Sequence, residues 1–169
     1  MSQPSAPEAS SPEPFDGLVV FDAPETPTVV ARQANLPMTD MAPFYDSTFT
    51  ALFPALAAEG VAPTGAAFGL YTSVPSETVD LEAGVPVDRA PENLPDGLLV
   101  SALPAGKIAA TTYVGPYDGL GTAWGTFMEQ VAAAGHTAAI PFWEVYVTEP
   151  SPDSDPTTLR TDLYTLLEP

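Results

Sequence analysis

The feature that most constrains this chain is a match between its two halves. At a shift of 75 residues, Phe49 falls on Trp124, Leu52 on Phe127, Phe53 on Met128, Leu56 on Val131 and Gly60 on Gly135. The register continues without a gap through Phe68 on Trp143, Leu70 on Val145, Tyr71 on Tyr146 and Pro75 on Pro150. Such a unit does not bury its apolar face alone, so the expected arrangement is two copies about a pseudo-twofold axis with one shared core.

Local patterning gives each unit the order β-α-β-β. In the first, residues 28–33 read as a strand, and Phe49, Leu52, Phe53 and Leu56 recur at the spacing of one helical face. Pro54 is expected to kink that helix and Gly60 to end it. Residues 66–73 and 79–87 read as strands joined by a turn around Pro75 and Ser76. A Pro- and Asp-rich loop, residues 88–97, separates the units.

In the second unit, residues 107–114 form the strand and the Gly115-Pro116-Tyr117-Asp118 turn leads into a helix. That helix buries Leu120, Trp124, Phe127, Met128 and Val131, and Gly135 closes it. A strand through residues 141–147, a turn over 150–156 and a strand over 161–167 complete the unit. The fold class is therefore α+β: an antiparallel-rich sheet, two main helices and a ligand cleft between the repeats. Residues 28–169 make one domain of two repeats, about 28–88 and 104–168, and residues 1–27, rich in Pro, Ser and acids, read as a disordered leader. Leu18-Val19-Val20-Phe21 is the exception there, a candidate short strand.

One acid breaks the duplicated pattern. In Pro141-Phe142-Trp143-Glu144-Val145-Tyr146, alternation puts Phe142, Glu144 and Tyr146 on one face and Trp143 and Val145 on the other. An ionised carboxylate removed from water without a partner costs several kcal/mol, so Glu144 must reach water, take up a proton or meet a cation. Its counterpart in the first repeat is Gly69. A ring-sized gap facing an acid suits an asymmetric pocket between the copies. The alternatives are a solvent-facing edge residue for Glu144 and a simple bulge at Gly69.

Composition narrows the chemistry. Twenty-two acidic residues against 4 basic ones give a formal charge of −18, which repels phosphate backbones and argues against direct nucleic-acid binding. The chain has no cysteine and a single histidine, His136, so thiolate and multi-histidine metal sites are excluded; no metal and no cofactor is expected. No run of about 18 apolar residues suggests a membrane span, and no signal-peptide pattern opens the chain, so a cytoplasmic protein is expected.

Four segments, residues 79–87, Leu103-Pro104-Ala105-Gly106, Tyr113-Val114-Gly115-Pro116-Tyr117 and residues 141–146, together resemble the GyrI-like domain over about residues 28–168. That family is the effector-binding module of AraC-type and MerR-type multidrug-sensing regulators and also occurs free-standing. The resemblance implies a duplicated β-α-β-β fold and a pocket acid at Glu144, ringed by aromatic side chains that hold flat, cationic organic molecules. It points to Tyr113, Tyr117, Tyr146 and Tyr164 as ring positions. Phe142 stands beside the acid and narrows the pocket, and Tyr71 and Tyr45 of the first repeat are either further wall residues or part of the core.

Three functions follow. The first is binding of a small aromatic, cationic ligand for sensing, sequestration or protection against xenobiotics. The second is cofactor-free hydrolysis of strained or cyclopropane-bearing compounds, with Glu144 as acid or base. The third is an acidic surface for a protein partner such as a gyrase. The residues leave the oligomeric state open.

Overall fold

The computed structural model describes residues 14–74, 76–148 and 155–169. Its elements in chain order are β1 (Val19–Ala23), β2 (Thr26–Pro37), α1 (Met41–Ala58), β3 (Phe68–Tyr71), β4 (Thr78–Pro86), β5 (Leu99–Leu103), β6 (Gly106–Val114), α2 (Leu120–Ala133), β7 (Ala138–Tyr146) and β8 (Arg160–Leu167). The strands form one antiparallel sheet in the order β1-β6-β8-β7-β3-β4-β2-β5. Two helices and a single antiparallel sheet make the α+β fold that the sequence patterns describe.

The order is balanced about its centre, where β3 pairs with β7. There Gly69 sits directly across from Glu144, with Leu70 against Trp143 and Phe68 against Val145. At the outer ends, β1 pairs with β6 so that Ala23 faces Gly106, and β5 pairs with β2 so that Leu103 faces Thr26. Each short strand thus leaves its chain neighbour and caps the other half of the sheet. Neither end strand belongs to a plain β-α-β-β order, and β5 is an addition to the expected elements. Residues 19–23 and 26–27, inside the segment expected to be a disordered leader, are strand, and β1 includes most of the Leu18–Phe21 candidate. Residues 1–13 and most of the 150–156 turn lie outside the described residues, as does Pro75.

Both helices lie on one face of the sheet. Leu52 and Leu56 of α1 pack with Val29 and Val85, whereas Phe127 and Val131 of α2 pack with Ala109 and Leu163. Burial of such side chains contributes about 1.5–3 kcal/mol each and fixes the helices to the sheet. Both helices stop in the same way. Gly60 (φ 67°) and Gly135 (φ 89°) adopt left-handed conformations, and the next residues return bonds across the last turn, Val61 N–H to Leu56 O at 3.0 Å and His136 N–H to Val131 O at 3.1 Å. Pro54 lies inside α1, which nonetheless continues to Ala58.

The opposite face of the sheet carries a second core. Val30, Phe68, Leu70, Ile108 and Trp143 are buried there, and Tyr164 stacks on Trp143 at 5.4 Å with the rings 2° from parallel. Its two buried acids are paired: Glu82 with Arg32 at 2.7 Å, and Asp162 with Arg160 at 3.0 Å. Among the described residues, no helix is long and apolar enough to cross a membrane.

Candidate functional site

β7 brings Glu144 to the helix side of the sheet, where it keeps only 5% of its surface exposed. Two short hydrogen bonds hold the carboxyl: Trp124 Nε1–H donates to Oε2 at 2.6 Å, and the Tyr146 hydroxyl donates to Oε1 at 2.6 Å. Tyr45 continues the chain, its hydroxyl 3.0 Å from that of Tyr146. The network therefore runs from α2 through β7 to α1.

Glu144 differs from the acids of the opposite face because all these partners are neutral. None of the ion pairs among the described residues involves it. Burial pushes its pKa above the ordinary carboxyl value, and the hydrogen bonds from Tyr146, Trp124 and Tyr71 pull the other way without cancelling that shift. The same burial, with the nearby Glu144 charge, raises Tyr71, Tyr117 and Tyr146, so these phenols stay protonated as donors. Burial raises Tyr45 as well.

Gly69 is what makes room for this arrangement. A Cβ built there would collide with the Tyr45 hydroxyl and lie 3.2 Å from that of Tyr146. The gap expected opposite Glu144 is therefore filled by phenol oxygens. It serves the hydrogen-bond chain, and a ligand has no room there.

The open space lies to either side. One groove, about 640 Å³, runs between α2 and the start of β7, with Glu144, Tyr71, Trp124, Met128, Ile140 and Phe142 in its walls. A second, about 930 Å³, runs along α1, with Tyr45, Phe49, Phe53, Tyr117, Leu120 and Tyr146 in its walls. Leu120 borders both. In the first groove Phe142 stacks on Tyr71 at 5.3 Å and meets Trp124 edge-on at 5.2 Å, giving an aromatic wall beside the acid.

Of the eight residues expected at the site, the structure gathers six around this hub: Glu144, Tyr146, Phe142, Tyr71, Tyr45 and Tyr117. Tyr117 meets Tyr146 edge-on at 6.0 Å. Tyr113 stands apart, its hydroxyl donating 2.7 Å to the Pro116 carbonyl and thereby tying the turn that leads into α2. Tyr164 is a correction, because it pairs with Trp143 and therefore points to the opposite face of the sheet. Phe53, expected in the buried stripe of α1, is 46% exposed because it faces the second groove.

Trp124, which the sequence pattern placed only in the core, is the residue of the candidate site that sequence reasoning missed. Its signal was present, since an indole N–H removed from water requires an acceptor and Glu144 was the acid lacking a donor.

No curated protein matches the chain. Among solved structures, the C-terminal domain of EcmrR superposes with a TM-score of 0.69 at 20% identity, over 89% of this chain and 96% of that one. EcmrR in its DNA complex aligns with a TM-score of 0.71, and there the chain spans 57% of the longer protein. SAV2435 bound to tetraphenylphosphonium gives 0.64 at 12% identity, over 90% of this chain and 94% of that one. A hydrolase encoded by lin2189 from Listeria innocua gives 0.64 at 11% identity, over 92% and 93% respectively. At these identities the likeness is one of fold. The sequence profile of the GyrI-like small molecule binding domain matches residues 24–168, and the chain belongs to that family.

Proposed function

We propose that the chain binds an aromatic organic cation in the groove beside α2, with Glu144 as the counter-charge. The observation that carries this reading is a nearly buried carboxyl, held by neutral donors, in the wall of an open aromatic groove. A cation arriving there offsets the cost of the desolvated charge, which the protein itself leaves without an ionic partner. Trp124, Phe142 and Tyr71 offer ring faces and edges, and each cation–π contact contributes about 0.5–2 kcal/mol. On α2, Gly121 and Gly125 line the groove, and a Cβ at either would meet nothing within 4 Å, so bare backbone is open to a flat ring. SAV2435, of the same fold, is bound to tetraphenylphosphonium, a cation of this class. Sequestration, sensing or protection against xenobiotics would each use such a site.

The test is titration calorimetry with tetraphenylphosphonium on the wild-type protein and on Glu144→Gln, alongside a neutral aromatic of similar shape. The substitution is expected to weaken the cation at least about tenfold, about 1.4 kcal/mol, and to leave the neutral compound nearly unchanged. Equal binding of cation and neutral analogue would remove the counter-charge role.

Hydrolysis is the second reading, favoured by the raised pKa of Glu144 within an apolar groove. A carboxyl with a raised pKa is a stronger base when ionised and keeps its proton to higher pH than an ordinary one, which suits it to take a proton from water or give one to a leaving group. Incubation with cyclopropane-bearing alkylators, followed by mass, decides it. Multiple turnovers lost in Glu144→Gln support hydrolysis, and intact recovery of every compound rules it out for that panel.

A further inference from the structure

We propose that Asn35 and Asp80 set the mouth of the groove beside α2 and so determine which cations it admits, an inference that rests on that groove being the ligand site. Three exposed apolar side chains line this mouth: Met38, 41% exposed, Val74, 72% exposed, and Ile140, 48% exposed. Large apolar side chains left in water at the opening of a groove are stabilised by contact with whatever enters it. Met38 follows β2 and Val74 follows β3, and β4, which carries Asp80, pairs with both strands.

Met38 is placed by a break in strand parity. Gln33 pairs with Leu81 and Leu36 with Val79, so Ala34 and Asn35 together oppose Asp80. The extra residue turns Leu36 instead of Asn35 to the helix side of the sheet. There Leu36 is buried in one cluster with Tyr71 and Val79, and Phe142 packs against that cluster. Tyr71 and Phe142 are the stacked wall of the groove. Asn35 makes the bulge with a φ of 55°, and among the described residues it is the one non-glycine in the left-handed region, which asparagine tolerates better than most side chains.

Asp80 holds both rim segments. Its Oδ1 accepts the Asn35 N–H at 2.9 Å, its own N–H donates to Ser73 Oγ at 3.2 Å, and its carbonyl accepts the Thr72 N–H at 3.1 Å. The Met38 N–H joins the same two segments by donating to Glu77 O at 3.1 Å. Neither Asn35 nor Asp80 lines the groove, so both are positioning residues that act through Met38 and Val74.

The probes are tetraphenylphosphonium, whose four rings spread to the mouth, and phenyltrimethylammonium, whose one ring and small cationic head need only Glu144 and the aromatic wall, each titrated by calorimetry. Asp80→Ala and Asn35→Val are expected to weaken tetraphenylphosphonium at least about fivefold and phenyltrimethylammonium less than about twofold. Asp80→Asn, which keeps the acceptor oxygen, and Asn35→Gly, which keeps the left-handed backbone, should retain the wild-type ratio of the two affinities. Met38→Ala/Val74→Ala removes exposed rim side chains and leaves the Asp80 hydrogen bonds in place, so it should reproduce the selective loss in a folded protein. A ratio unchanged within about twofold in Asp80→Ala and in the rim variant, or a loss shared equally by both cations, overturns the proposal, and the counter-charge reading then stands if Glu144→Gln still weakens both. Tetraphenylphosphonium indifferent to Glu144→Gln yet lost in Met38→Ala/Val74→Ala would sink the counter-charge and leave the mouth standing. Binding of neither cation to the wild-type protein overturns both.

Discussion

Glu144 holds a charge or a proton according to what lies against it. Its pKa is raised by burial, so the folded protein binds a proton there more readily than the unfolded chain does. The sign follows: its contribution to stability is fully present below the ordinary carboxyl value and is lost as pH rises through the folded value. A bound cation favours the ionised form, so ligand-induced stabilisation should grow with pH over that same window. Melting temperatures with and without tetraphenylphosphonium, from about pH 4 to about pH 9, measure it, and Glu144→Gln should give a flat difference. Trp124→Phe keeps a ring but removes the 2.6 Å donor, so the window should move to higher pH. An unmoved window would mean that the indole does not tune the acid. Gly69→Ala drives a methyl group into the Tyr45 hydroxyl, and it should cost about 1–3 kcal/mol in denaturant unfolding. A cost near zero would show that Tyr45 swings away freely. The acid was legible in the sequence because one carboxylate interrupts an aromatic run. The position of Tyr164 was not, since the face it takes depends on its pairing with Trp143, and a one-residue change of register reverses every side chain.

The helices and the long strands follow from local patterning, and their ends follow from Gly60 and Gly135. The short strands β1 and β5 are less legible. Each is five residues and pairs far along the chain, β1 with β6 and β5 with β2; the apolar run Leu18–Phe21 marked β1 only as a candidate, and no local period announced β5. β5 also follows the Pro- and Asp-rich loop, which masks a short apolar run. Their place in the fold is energetic as well as topological, because β1 covers one edge of β6, whose other edge pairs with β8. Removing residues 1–23 would leave the N–H and C=O groups along that edge of β6 unpaired. The truncated protein is expected to melt lower and to self-associate as its concentration rises, read by light scattering beside thermal unfolding. A truncation that stays monomeric with an unchanged melting temperature would show that β1 is dispensable.

Across the whole molecule, two kinds of negative charge have different consequences. The formal charge of −18 is carried mostly by exposed side chains and destabilises the compact state by self-repulsion, which salt screens. Glu144 is nearly buried, and a contact between it and a cation in the groove is screened far less. Raising NaCl from about 0.01 M to about 0.5 M should therefore raise the melting temperature while changing the tetraphenylphosphonium affinity less than about threefold. Association rates should fall over that range, because the surface field speeds the arrival of a cation without holding it. Composition announced the field and the aromatic run announced the acid. The separation of the two required the fold, which pairs Glu82 and Asp162 with arginines on one face of the sheet and leaves Glu144 with neutral donors on the other. An affinity that falls with salt as steeply as the association rate would assign recognition to the surface field, and Glu144→Gln would then bind tetraphenylphosphonium as well as the wild-type protein does.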